Sequence, residues 1–273
     1  MKTSFNLKAA AALALMMASS AAVAGSIVNT RHNLGMSTST GIDNRTTGNF
    51  TTATTEICVF CHTPHGADST AAVPLWNRVI STTTTYNTYA SLGTASLDAK
   101  QAPIGSVSLA CLSCHDGTQA MNVVINSSGS NTTGDQNTNV NGTGGSFTEF
   151  AKMSDVPTEM IYLATDLRND HPISMQYAGD TVDRGAIDPD FKTAVKTTAN
   201  GQTFWYVENA NTASGTYQKE DFKLYARNEG SVAGGSQPFV ECATCHDPHV
   251  EAKTFLRMGS NEGSQVCLTC HTK

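Results

Sequence analysis

The stretch CVFCHTPHG, residues 58–66, contains two cysteines and two histidines, and the same arrangement returns as CATCHDPHV at residues 242–250. Two shorter stretches, CLSCH at 111–115 and CLTCH at 267–271, repeat the C-x-x-C-H part alone. All eight cysteines of the chain fall into these four pairs, and a histidine directly follows each pair. With only eight histidines in 273 residues, four chance placements of that kind are implausible, so the histidine belongs to the motif.

The C-x-x-C-H spacing is typical of covalent attachment of c-type haem. Two thiols about one helical turn apart can add to the two vinyl groups of a porphyrin, and the next residue places its imidazole under the iron. We number the motifs 1 to 4 in chain order, and they predict four haem c groups. The predicted attachment residues are Cys58, Cys61, Cys111, Cys114, Cys242, Cys245, Cys267 and Cys270. The predicted proximal iron ligands are His62, His115, His246 and His271.

Three alternatives explain the cysteines less completely. A disulfide framework uses an even number of cysteines in exported chains, and zinc sites are built from C-x-x-C pairs. Neither accounts for a histidine after every pair. A thioredoxin-like dithiol needs a βαβ pattern that this sequence lacks.

The four remaining histidines match the number of axial positions still open. Four haem irons have eight axial positions, and the chain has eight histidines. We therefore predict bis-histidine ligation at every iron, with His32, His65, His171 and His249 as the distal ligands. Methionine is the alternative axial ligand, but the methionines show no comparable recurrence and are better explained as packing residues.

His65 and His249 each lie three residues beyond a proximal histidine. Residues three apart lie side by side on a helical turn, so neither side chain can reach the far face of its neighbour's haem. Sequence proximity predicts that His65 serves motif 2 and His249 serves motif 4, which leaves His32 and His171 for motifs 1 and 3. His32, near the start of the exported chain, is the strongest candidate for donation to another subunit.

Residues 1–24 predict a secretory signal peptide, because Lys2 and Lys8 precede an apolar run that ends in small residues. No later stretch reaches the about 18 consecutive apolar residues of a membrane-spanning helix. Without those two lysines, 15 basic side chains remain against 23 acidic ones, a formal charge of −8. Such a charge makes nucleic acid an improbable partner. We expect an exported chain without a membrane span.

The motifs repeat in one order: a lone histidine, then C-x-x-C-H-x-x-H, then C-x-x-C-H. This order predicts a duplicated dihaem unit, with residues 25–125 as the first unit and residues 151–273 as the second. Residues 126–150 are rich in Asn, Thr and Gly and predict an exposed loop or linker.

The predicted fold class is a multihaem cytochrome c, in which the haems form the core of a mostly irregular coil. Aromatic residues make up only 7% of the chain, so the sequence predicts a small apolar side-chain core. Short α-helices are expected at the haem motifs. The β-prone runs QTFWYVEN at 202–209 and EDFKLYAR at 220–227 predict a small β-hairpin.

The stretches CVFCHTPHG, PLWNR, CLSCHDGT, DHPIS, CATCHDPH and VCLTCH resemble those of the doubled-CxxCH-motif multihaem cytochromes. Within that family the chain looks like the tetrahaem outer-surface cytochromes of metal-reducing bacteria, whose subunits polymerise into extracellular filaments. The resemblance runs from NTRHNLG to the C-terminus, and the long polar insertions depart from it. It implies haems stacked in alternating parallel and perpendicular pairs, and one axial histidine that reaches into the next subunit.

Bis-histidine ligation closes each iron to substrate, which predicts outer-sphere electron transfer and no enzymatic activity. The expected function is that of a subunit in a conductive extracellular filament. The resemblance suggests a filament of the kind called a cytochrome nanowire. A soluble periplasmic tetrahaem shuttle and a multihaem reductase with one labile distal histidine remain alternatives. Expected partners are copies of the chain, redox-partner cytochromes and extracellular metal or mineral acceptors. The expected location is extracellular or on the outer cell surface, with the periplasm as the alternative.

Overall fold

The structure is a computed structural model that describes residues 27–35, 49, 51, 54, 56–93, 99–127, 151–155, 161–178, 188–211, 214–228, 235–252 and 254–272. All sixteen predicted attachment and ligand residues lie within these ranges. The predicted signal peptide and nearly all of the predicted linker lie outside them. Among the described residues, no helix is long and apolar enough to cross a membrane.

Five antiparallel strands form one sheet in the second unit. The strands are β1 (Met175–Gln176), β2 (Val195–Ala199), β3 (Gln202–Val207), β4 (Phe222–Arg227) and β5 (Gln237–Val240). Their order across the sheet is β1-β5-β4-β3-β2. The predicted hairpin is confirmed, because β3 and β4 pair with Trp205 opposite Leu224. The sequence analysis missed the strands that extend this hairpin on both sides.

The turn between β2 and β3 explains why these two strands pair. Asn200 and Gly201 both have left-handed backbone conformations, with φ of 51° and 74°. An Asn-Gly pair with positive φ at both positions is typical of the two-residue turns whose twist matches that of antiparallel strands. The turn therefore sets the register in which Ala199 lies opposite Gln202.

An apolar cluster covers one part of the sheet and supports the last two haem motifs. Its members are at most 2% exposed and are Tyr177, Trp205, Val207, Phe222 and Leu224. Cys245 of motif 3 and Cys270 of motif 4 pack against this cluster. The second unit therefore has a side-chain core of its own, next to its haem-attachment residues.

Short helices coincide with the haem motifs, as expected. They are a 3-10 turn at Cys58–Phe60 and the α-helices α1 (Ser108–His115), α2 (Cys242–Cys245) and α3 (Gln265–Cys270). Helix α2 is a single turn, too short to be stable from helix propensity alone. Its N-terminus is closed by a capping box in which the side chains of Glu241 and Thr244 bind each other's backbone N–H groups.

The first unit is held by hydrogen bonds between loops, and its described residues form isolated bridges but no extended strands. Asn77 is a central example: its Nδ2 donates to the carbonyl oxygens of Val59 (2.6 Å) and Asn126 (2.8 Å). Its backbone N–H donates to the carbonyl of Cys61 at 2.9 Å. These bonds satisfy buried polar groups that a sheet would otherwise pair.

Candidate haem-binding sites

Three of the proximal histidines make the same kind of hydrogen bond. In each of them Nδ1 lies close to a backbone carbonyl oxygen: His62 to Pro74 (2.8 Å), His115 to Ile161 (2.8 Å) and His246 to Thr254 (2.9 Å). A carbonyl oxygen only accepts hydrogen bonds, so Nδ1 carries the proton and Nε2 keeps its lone pair. That tautomer is the one required of an imidazole that binds iron through Nε2.

The loops after motifs 1 and 3 repeat the same contacts. The residue after the accepting carbonyl is left-handed in both, Leu75 with φ of 58° and Phe255 with φ of 57°. The carbonyl of Leu75 accepts from Thr63 N at 2.9 Å, and the carbonyl of Phe255 accepts from Asp247 N at 2.8 Å. The loop geometry that orients His62 and His246 is therefore duplicated, although the loops differ in length and sequence.

Two pairs of histidines face each other at the distance that one iron requires. The ring centroids of His62 and His249 are 6.3 Å apart, and those of His32 and His115 are 6.2 Å apart. With metal–nitrogen bonds of about 2 Å and about 1 Å from each nitrogen to its ring centre, imidazoles on opposite faces of one iron have centroids about 6 Å apart. The interplanar angles of the two pairs are 14° and 68°. Both are compatible with axial ligation, because an imidazole can rotate about its bond to the iron. Both pairs fit the axial positions of a haem.

His171 lies close enough to His271 to influence it electrostatically. Burial lowers the pKa of His271, and the nearby His171 lowers it further. The ring of Phe191 packs 4.6 Å from that of His271. His171 is therefore close to the proximal ligand of motif 4.

These neighbours correct the pairings expected from sequence proximity. His249 faces motif 1 instead of motif 4, His32 faces motif 2, and His171 lies near motif 4. His32 also stacks on Phe255, with ring centroids 4.2 Å apart and planes at 15°, so it is held within its own chain. The proximity argument failed because the two units pack against each other and bring a turn of the second unit over the first.

His65 has no such neighbour among the described residues, and His246 is near His115 only as an electrostatic neighbour, while His32 is the ring that faces His115. The side chains of His65 and His246 are exposed, and within the described ranges no other imidazole ring lies against either of them at about 6 Å. The turn that carries His65 is nevertheless fixed, since Asn126 Nδ2 donates to the His65 carbonyl at 2.6 Å. His65 is thus a positioned imidazole at the surface, and in the described part of the chain no imidazole ring faces His246 at the distance of a shared iron.

His249 differs from the proximal histidines in its hydrogen-bond partner. Its Nδ1 lies 3.3 Å from Asp247 Oδ1, and Arg257 Nη1 lies 3.9 Å from the other carboxylate oxygen. The hydrogen bond from His249 and the charge of Arg257 lower the pKa of Asp247 to about 2, against the effect of burial. A carboxylate partner orients a ligating histidine and increases its basicity more than a carbonyl does.

The cysteines place the four motifs in a row. All eight are free thiols, as attachment to haem requires. The thiols of Cys61 and Cys114 are close enough to interact electrostatically, and so are those of Cys245 and Cys267. Cys111 and Cys242 are also close enough to interact, and the backbone N–H of Cys242 donates to Ser108 Oγ, three residues before Cys111, at 3.0 Å. The motifs therefore follow one another in space in the order 1, 2, 3, 4.

A buried polar cluster fixes the junction between motifs 2 and 3. Ser108, at the start of α1, donates to Glu241 Oε2 at 2.5 Å and accepts from the backbone N–H of Cys242 at 3.0 Å. Arg227 Nη1 lies 2.8 Å from Glu241 Oε1. Burial raises the pKa of Glu241, and Ser108 and Arg227 oppose that rise. These bonds join α1 of the first unit to α2 of the second.

A cavity of about 560 Å³ lies beside motif 1 and is lined by Cys58, His62, His65 and Asn126 among others. Its volume falls in the range of about 300–1,000 Å³ that is usual for cofactor sites. Within the described part of the chain, no group of three His, Cys, Asp or Glu side chains is arranged to hold a metal ion. The free thiols, the tautomers and the opposed imidazoles all fit a covalently bound haem.

Comparison with known proteins agrees with this chemistry. Residues 232–273, which contain motifs 3 and 4, match the family model described as the doubled CXXCH motif. A comparison with curated proteins gave no match. The matched motifs indicate covalently bound haem c and a multihaem c-type cytochrome, a class of protein that transfers electrons.

Three features of the sites were not predicted from the sequence: Asp247, the Glu241 cluster and the buried Arg78. A signal existed for Asp247, since Asp often accepts a hydrogen bond from the backbone two residues further on, and Asp-Pro-His has that spacing. The bond is present: His249 N donates to Asp247 Oδ1 at 2.9 Å. Nothing in the sequence alone showed that Ser108 and Glu241, 133 residues apart, would meet.

Proposed function

We propose that this protein holds a continuous row of four haems for electron transfer, and that copies of it join head to tail into an extracellular filament. The row of cysteine contacts from motif 1 to motif 4 is the observation that supports the first part. Bound haem supplies a one-electron iron couple, and opposed imidazoles close the iron to substrate. We therefore propose electron carriage without catalysis, with redox-partner cytochromes as donors and metal or mineral acceptors outside the cell.

The proposed filament is inferred from a pattern in how the distal histidines are distributed between the two units. The lone histidine serves the second motif of its own unit, as His32 does for motif 2 and His171 for motif 4. The histidine of the second unit's H-x-x-H serves the first motif of the preceding unit, as His249 does for motif 1. Applied once more, the rule assigns His65 to motif 3 of a preceding copy.

The ends of the row support the same arrangement. At the junction inside the chain, Cys111 of motif 2 meets Cys242 of motif 3. The equivalent residues at a junction between copies are Cys267 of motif 4 and Cys58 of motif 1, and both are exposed. A contact that joins one end of a subunit to the other end of the next is heterologous, and it gives an open filament unless the rotation closes it into a ring.

The test compares His65→Ala with His171→Ala in protein whose four haems have been verified by mass. We expect His65→Ala to abolish filaments in electron micrographs and to leave one high-spin haem, at motif 3. His171→Ala should also create one high-spin haem, at motif 4, while filaments still form. Filaments with only low-spin iron in His65→Ala would contradict the assembly. Monomers that are fully low-spin at every concentration would instead indicate a soluble shuttle.

A further inference from the structure

Arg78 is a buried cation held between motifs 1 and 2. Its side chain is fully buried, and its guanidinium donates to three carbonyl oxygens: Met121 at 2.9 Å, Ser113 at 3.0 Å and Ala120 at 3.0 Å. Ser113 lies between the two cysteines of motif 2. The preceding residue, Asn77, is bonded to the Cys61 carbonyl of motif 1. The positive charge is therefore fixed beside the haem-attachment residues.

No carboxylate of the described residues forms an ion pair with Arg78, and its Nε is buried without a partner. The other deeply buried arginine, Arg227, is paired with Glu241 at 2.8 Å. A buried charge without a counter-charge is costly, so proteins rarely keep one without compensation. Among the described residues, the contacts that offset the charge of Arg78 are the three neutral carbonyl oxygens.

The duplicated unit carries a neutral residue at the corresponding place. The loops after motifs 1 and 3 align through their shared contacts, and Met258 then corresponds to Arg78. The contact partners correspond as well, because Thr269 of motif 4 donates to Met258 Sδ at 3.4 Å, where Arg78 contacts Ser113 of motif 2. At this position, beside motifs 2 and 4, the first unit has a buried cation and the second unit has a neutral side chain. The second unit's Arg257 lies one position earlier, where the first unit has Asn77, and it donates to the Ala243 carbonyl of motif 3 at 3.0 Å with Asp247 3.9 Å away.

We propose that Arg78 raises the reduction potential of the haem at motif 2 above that of the haem at motif 4. Reduction adds one negative charge to the haem, and a fixed cation in a low-dielectric interior stabilises the reduced form. The guanidinium stays charged at every pH at which the protein is folded. This inference rests on haem binding and electron transfer as proposed above, but it does not depend on filament formation.

The experiment is a redox titration of the holoprotein in which the haems are followed separately by NMR of their methyl groups. In the wild type, the haem at motif 2 should be reduced at a higher potential than the haem at motif 4. Arg78→Met, which copies the second unit, should lower the ratio of reduced to oxidised haem at motif 2 at least tenfold at fixed potential, equivalent to about 59 mV for one electron. Arg78→Lys should keep most of the wild-type potential at a pH low enough to keep the buried ammonium protonated, because the charge is then retained.

Met258→Leu is the matched control, since it exchanges one neutral side chain for another. The ratio of reduced to oxidised haem at motif 4 should stay within a factor of two of the wild-type ratio. The proposal is overturned if Arg78→Met titrates like the wild type, or if Arg78→Lys at that low pH shifts the potential of the haem at motif 2 as far as Arg78→Met does. Reduction of motif 4 before motif 2 in the wild type would overturn it as well. That last measurement needs no variant, so it decides the matter even if Arg78→Met fails to fold. Absence of haem at motif 2, detected by mass, would instead contradict the proposed function.

Discussion

The two units of this protein position the same motifs with different scaffolds. In the second unit a five-stranded sheet and the cluster around Trp205 support motifs 3 and 4. In the first unit, loops held by Asn77 and Arg78 support motifs 1 and 2. Yet His62 and His246 meet a carbonyl at 2.8 and 2.9 Å through the same left-handed turn. The comparison teaches that ligand geometry is set by the motif and the loop after it, while the scaffold can change.

The largest expected effect tests the ligand that crosses between units. His249→Ala should convert one haem from low-spin to high-spin, because it removes the imidazole 6.3 Å from His62. Although the substitution lies in the second unit, the affected haem should be the one at motif 1. Electron paramagnetic resonance, with haem assignment by NMR, measures this. A high-spin haem at motif 4 would restore the pairing that sequence proximity suggested.

The second prediction compares the stability of the two scaffolds. Trp205→Ala should lower the free energy of unfolding by about 3–5 kcal/mol, since Trp205 is 2% exposed at the centre of the second unit's core. Trp76→Ala should cost less, because Trp76 packs against small residues such as Ala71 and Ala110. Denaturant unfolding of the holoprotein measures both. Equal losses would show that the first unit depends on its apolar side chains as much as the second does.

The third prediction concerns the carboxylate beside His249. Asp247→Asn should raise the potential of the haem at motif 1 by an amount on the order of 59 mV, a tenfold change in the redox ratio. The reason is that a carboxylate partner makes a ligating imidazole more basic, which stabilises oxidised iron. The corresponding residue in the first unit is Thr63, so Asp247→Thr is the natural control and should shift the potential in the same direction. An unchanged potential in both variants would show that the 3.3 Å contact has no influence on the iron.

The smallest expected effect concerns the Asn200-Gly201 turn, which has no counterpart among the described residues of the first unit. Gly201→Ala should cost about 1 kcal/mol, because alanine is strained at φ of 74° although the added Cβ would meet no atom within 4 Å. Asn200→Gly should change the free energy of unfolding by only a few tenths of a kcal/mol. Thermal unfolding measures both. A loss of several kcal/mol in Gly201→Ala would mean that this turn supports much more than one hairpin.

What could be predicted from sequence was what depends on short-range spacing. The C-x-x-C-H motifs, their helices and the pairing of β3 with β4 follow from neighbouring residues and local β-propensity. Strand β2 was missed because Val195–Ala199 is mostly polar and exposed, although the Asn200-Gly201 turn signalled it. The pairing of histidines could not be derived, because His62 and His249 are brought together by packing between units.

His249 has a consequence for how the two units depend on each other. Under the ligand rule proposed above, a single unit supplies a distal histidine for its second motif but not for its first. Its complement of ligands becomes complete only when another unit lies beside it, as the second unit does for His62. On that rule a single unit needs a neighbouring unit to complete its ligands, and the contacts of Ser108 with Glu241 and Cys242 hold such a neighbour in place within this chain.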